Sequence, residues 1–225
     1  MKRIFLSLLF YLGVFNSYSQ NVVDLLLMLS KSYSIPRNVN VVKSALSDYE
    51  SQSYPPGPFE LRFDKIDLKA GYIQGRFISG ESFEFSLCYW NLSNGEKLLG
   101  YEIYQCATVC YSELNFYTYS SSKRIQKCDK ALLPSPIISE DEFFDYAQME
   151  AEFPKDIDRL KREVGFESRI YLPQNGKNIK IYFEPYLDGV SDETANMIRY
   201  KERRKGIILE WKDGHFERGD WIMKE

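Results

Sequence analysis

The chain is poor in the residues that most often carry chemistry. It holds a single histidine, His215, among 225 residues. Any Ser-His or Cys-His mechanism would have to use it. Yet His215 directly follows Asp213-Gly214, a tight-turn pair, where a histidine is ordinarily just solvated. No Gly-Lys-Ser/Thr phosphate loop, no Gly-x-Ser-x-Gly elbow and no His-Glu-x-x-His pair occurs. Nucleotide and zinc-hydrolase chemistry is therefore unsupported. Cysteine is sparse, with four residues and no Cys-x-x-Cys. That speaks against a metal centre or a dithiol redox pair, and no cofactor is indicated. An excess of positive charge is also missing, with 29 Lys+Arg against 32 Asp+Glu. A nucleic-acid binder should show a basic face, and docking on anionic lipid would need one too. After the first nineteen residues no apolar run approaches the roughly 20 residues that span a bilayer, so stable membrane insertion is not expected.

What the chain does have begins at its start. Met1-Lys2-Arg3 is a short positive segment, and Ile4 to Phe15 is an apolar run broken only by Ser7 and Gly13. Ser17-Tyr18-Ser19 then places small residues before a cut at Gln20. This tripartite pattern predicts a secretory signal peptide over 1–19. The expected mature chain of 206 residues is secreted or periplasmic and carries a net charge of −5. Its cysteines are accordingly read in an oxidising compartment. No Cys lies near the cut, so a lipid anchor is not expected.

The periodicity predicts an α+β fold, with antiparallel sheet packed against helices. Val22 to Leu29 reads as a largely buried helix. Asn38 can cap a second helix, along which Val39, Val42, Ala45, Leu46 and Tyr49 recur at helical spacing. Tyr54-Pro55-Pro56-Gly57-Pro58 forms a stiff connector. The period then becomes two. Phe59, Leu61 and Phe63 share a parity that Ile66 and Leu68 do not, which predicts a bulge near Asp64-Lys65. Phe83, Phe85, Leu87 and Tyr89 alternate with Glu84, Ser86, Cys88 and Trp90. Further strands are expected near 72–78, 99–103, 114–119 and 124–128. Pro134-Ser135-Pro136 marks a boundary between a first half, 20–133, and a second, 134–225. Ser139 with Glu142 opens a helix through Phe143, Phe144 and Ala147, which Pro154 ends. Strands return at 169–172, 179–183, 207–211 and 215–222, the last two joined at Asp213-Gly214. Residues 191–204 read as a short helix or a loop. The layout resembles the tandem helix-plus-four-strand units of the β-lactamase-inhibitor-protein type of fold. A cone-shaped cystatin-like or NTF2-like sheet is also compatible. This is a likeness of layout and implies no function.

Cys88, Cys106, Cys110 and Cys128 lie close in sequence. In a regular meander, Cys106, Cys110 and Cys128 gather at one end and Cys88 at the other. One disulfide is therefore expected among Cys106, Cys110 and Cys128, with Cys128 bridging across strands. Paired carboxylates such as Glu81 and Glu84, or Glu140, Asp141 and Glu142, could serve a glycosidase. The second group is better explained by a helix N-terminus. The basic run Lys201, Arg203, Arg204 and Lys205 reads as solvated surface. Asn91-Leu92-Ser93 matches a glycosylation acceptor.

The reading that fits best is a non-enzymatic binding protein with a protein or glycan partner, its Tyr-rich sheets supplying the surface. Trp90 and Tyr182, each opposite an apolar face, are the aromatic candidates for ligand contact. A carbohydrate-active hydrolase using paired carboxylates is the alternative. A structural subunit of a cell-envelope assembly is another, and nothing in the pattern fixes an oligomeric state.

Overall fold

The structure is a computed structural model that describes residues 20–52, 60–78, 82–106, 110–186 and 189–224. The expected signal peptide, the connector at 54–58 and Glu81 lie outside the described residues. Two helices come first, α1 (Val22–Tyr33) and α2 (Val39–Glu50). Asn21 and Asp24 form a capping box at the start of α1, and Asn38 caps α2 through the backbone N–H groups of Asn40 and Val41. Six antiparallel strands follow, ordered as they occur in the chain: β1 (Glu60–Asp67), β2 (Tyr72–Ile78), β3 (Ser82–Asn91), β4 (Lys97–Cys106), β5 (Cys110–Tyr119) and β6 (Ile125–Lys127). The register of β1 against β2 shifts between Phe63 and Lys65, where the parity change places a bulge. These six strands fall on the six segments that the period-two pattern marks, two more than a helix-plus-four-strand unit holds.

The two faces of this sheet bury different things. Leu61, Phe63, Ile73, Phe85, Leu87, Leu99, Tyr101 and Tyr117 pack with Val22, Leu25, Leu26, Leu29 and Val42 of the helices. Burying each of those large side chains contributes roughly 1.5–3 kcal/mol. The opposite face offers Tyr72, Cys88, Trp90, Leu98 and Phe116 to a second cluster, built mainly from residues 132–216.

The second half opens with short helices: α3 (Glu140–Phe143), α4 (Tyr146–Glu152) and α5 (Ile157–Glu163). The sequence predicts one helix through Ala147, but the backbone turns extended at Phe144, which pairs as a β-bridge with Tyr200. Two adjacent phenylalanines explain the break. Phe143 and Phe144 both reach the core, at 2% and 0% exposure, with ring centroids 4.9 Å apart. After α5 come β7 (Gly165–Tyr171), β8 (Ile179–Tyr186), α6 (Asp192–Met197), a 3-10 turn at Lys201–Arg203, β9 (Arg204–Trp211) and β10 (Phe216–Met223). The four strands form an antiparallel sheet in the order β10-β9-β8-β7. The chain is thus an α+β protein with two antiparallel sheets, and the four-stranded one is preceded by its helices. Gly206 is required where β9 crosses β8. A Cβ there would meet the Ile181 carbonyl oxygen and come within 3.0 Å of the Tyr182 Cα.

Candidate functional site

The sheets meet where β7 lies against β4 and β5. Ser112 of β5 accepts a hydrogen bond from the Ile170 backbone N–H of β7 at 3.0 Å. The same hydroxyl donates to Glu102 Oε1 at 3.0 Å, and Ser86 of β3 donates to Glu102 Oε2 at 3.0 Å. Glu102 is 5% exposed, a carboxyl held between two sheets by two serines. Next along β7, Arg169 pairs with Glu84 at 2.6 Å. Its guanidinium lies 4.1 Å from the Tyr104 ring centroid and 5.1 Å from that of Tyr171. Tyr171 then meets Tyr182 edge-on at 5.3 Å, and the Lys205 ammonium sits 5.5 Å from the Tyr182 ring.

This row of rings and cations walls a cleft of about 1110 Å³. One side is Tyr72 and Gln74 of β2 with Tyr104 of β4, and the other is β7 and β8. The connection after β7 adds the amides Gln174, Asn175 and Asn178. Lys65 donates to Gln174 Oε1 at 2.8 Å, which ties that connection to β1. Glu167 and Glu184 also face the cleft and are register partners across β7 and β8.

Burial sets the proton chemistry at the seam. It pushes Glu102 from the ordinary 4.5 up to about 7, against the pull of Ser86, Ser112 and Arg169 toward the ionised form. Burial likewise moves Tyr72 up to about 12, so its phenol stays protonated at neutral pH. Cys88, fully enclosed, has its thiol pushed well up and is not a nucleophile.

Of the two aromatic candidates, Tyr182 lines the cleft and Trp90 does not. Trp90 is 2% exposed, because the second half covers its face of β3. Its indole stacks on Trp211 at 5.6 Å, and its N–H donates to the Lys177 carbonyl at 2.8 Å. Trp90 is therefore a packing residue. The disulfide joins Cys106 to Cys110, and the expected partner Cys128 is a free, half-buried thiol. The correction lies in β6, which has only three residues. Cys128 stops opposite Phe116, six residues along β5 from Cys110, roughly 20 Å away at strand spacing.

The other sequence candidates are dispersed. His215 is exposed at the β9–β10 turn, 3.1 Å from Glu217 Oε1. Glu142 caps α3 through Ser139 and pairs with Arg218, which holds its carboxyl below the usual range. Lys201 and Arg204 donate to the Asp141 and Glu142 carbonyls at 3.1 and 2.6 Å, whereas Lys205 reaches the cleft. Sequence reasoning passed over Glu102, Tyr104, Arg169 and Tyr171. The available signal was the run Ser86, Cys88, Trp90 beside Glu84: small and apolar residues on the supposedly wet face of a strand mark it as covered.

No family model matches the chain, and no curated protein matches it either. A solved structure, a domain of an uncharacterized protein from Porphyromonas gingivalis W83, has a similar fold. Its TM-score is 0.54 at 11% identity, covering 89% of this chain and 100% of that one. At this identity the likeness concerns the fold alone.

Proposed function

We propose that the chain is an exported, non-enzymatic binding protein whose site is the cleft between the sheets and whose ligand is an extended carbohydrate. The observation that carries this is the wall formed by Arg169, Tyr171 and Tyr182, facing Tyr72, Gln74 and Tyr104. Rings with a polar tip, interleaved with fixed donors, suit a chain of hydroxyls with apolar faces. The amides of Gln174, Asn175 and Asn178 extend that supply of donors and acceptors. Leu172 and Phe183 at the cleft are only 4% and 5% exposed, so its open apolar surface is that of the tyrosine rings and of Pro173 and Pro185. Export is supported by the leader-like start and by the Cys106–Cys110 bridge.

A glycan array probed with the purified protein tests this reading. Binding to at least one oligosaccharide class is expected, weakened roughly tenfold or more by Tyr182→Ala or Tyr171→Ala. An array with no signal overturns it. The hydrolase remains a second reading, favoured by the carboxylates Glu167 and Glu184, side by side on the β7–β8 wall of the cleft. Turnover of a bound glycan that is lost in Glu167→Gln or Glu184→Gln would replace the first reading with the second.

A further inference from the structure

We propose that Glu102 is a proton-operated latch on the cleft: protonated, it lies buried and the seam between the sheets stays shut; deprotonated, the seam opens more readily. The inference deepens the reading of the cleft as the binding site and rests on it for its functional meaning.

The geometry comes first. Glu102 joins three strands of one sheet to the other through two atoms. Its Oε1 accepts from Ser112, and Ser112 in turn accepts from the Ile170 N–H. Ile170 lies between Arg169 and Tyr171, two residues of the cleft wall. Releasing Ile170 from Ser112 therefore loosens that wall. Arg169 shares the seam and is already engaged by Glu84.

The charge arithmetic then gives a direction. The charged and titratable groups around the carboxyl are Tyr72 from β2, Glu84 and Cys88 from β3, Tyr101 beside it on β4, and Arg169 from β7. Burial pushes Tyr72, Tyr101 and Cys88 upward, so they stay neutral around pH 7. Arg169 supplies the positive charge, already shared with Glu84. Glu102 is the group here that burial moves to about 7. A buried carboxylate without full solvation is costly, and two hydroxyls with one shared guanidinium offset only part of that cost. An open, hydrated seam restores the ordinary carboxyl near 4.5. The closed form then holds a proton that the open form has lost. Opening must become easier as pH rises between those values, and level off above them.

Amide hydrogen exchange tests the latch without any ligand. After correction for intrinsic exchange, the opening constant of the Ile170 amide should rise up to about a hundredfold from about pH 4.5 to about pH 7. In Glu102→Gln it should be flat, and amides of α2, on the far side of the sheet, should be flat in both proteins. A flat profile at Ile170 in the natural chain overturns the proposal. So does an unchanged rise in Glu102→Gln, or a parallel rise in α2, which would make the linkage global. Failure here leaves glycan binding standing, and an empty glycan array leaves this exchange profile standing.

Discussion

Among the described carboxyls, Glu102 is the one that burial moves upward. Glu102 keeps its proton to about 7 in the folded chain against an ordinary 4.5, so the folded state binds more protons between those values. Stability from this group is full below the window and falls as pH rises through it. Glu102→Gln should therefore stabilise by on the order of 2–3 kcal/mol more at about pH 8 than at about pH 4, read by urea denaturation at both. An equal effect at both pH values would remove Glu102 as a source of pH dependence. The residue was not legible in the sequence as a site. It stands between Tyr101 and Ile103, whose parity points to the helices, and a lone glutamate on the other parity looks solvated. Trp90 was misplaced for the same reason in reverse. Alternation sorts side chains between two faces, but it does not say that the second face is covered too.

Among the elements, the hairpin of β4 and β5 shows what spacing can and cannot give. Its strands, its alternation and the presence of one bridge among three cysteines follow from the pattern. The partner choice does not, because it depends on where β6 stops. Cys106 and Cys110 close a loop with a sequence separation of 4. By loop closure alone, replacing both with alanine should cost about 2 kcal/mol. Thiol titration of the denatured, unreduced protein should find two reactive groups, Cys88 and Cys128. Four would remove the bridge. The opening of α3 was legible by its capping residues, Ser139 with Glu142, whereas the stretch where Ser191 caps α6 reads in sequence equally as a helix or a loop. The break at Phe144 was not legible, because the core that takes up both Phe143 and Phe144, and the Tyr200 bridge that pairs with the extended backbone there, come from far along the chain.

For the whole molecule, the decisive fact is that one core draws on both halves. Tyr72, Cys88, Trp90, Leu98 and Phe116 of the first sheet sit in the same cluster as Phe143, Met149, Ile181 and Leu209. Unfolding should then be a single event, with tryptophan fluorescence and far-ultraviolet circular dichroism giving coincident transitions. Two separated transitions would mean that the halves are energetically independent. The α+β class and the order of strands could be read locally, since each strand pairs with its neighbour in sequence. The cleft could not be read so, because its walls come from residues about a hundred positions apart, brought together by the Ser112–Ile170 contact and the Arg169–Glu84 pair.

That cleft is the central claim, and mapping a bound oligosaccharide onto the backbone tests it most directly. With a glycan identified on the array, amide exchange in its presence should slow at Arg169–Tyr182 and around Tyr72, Gln74 and Tyr104. It should leave α1, α2 and the β9–β10 turn unchanged. Protection confined to any other surface would contradict the account.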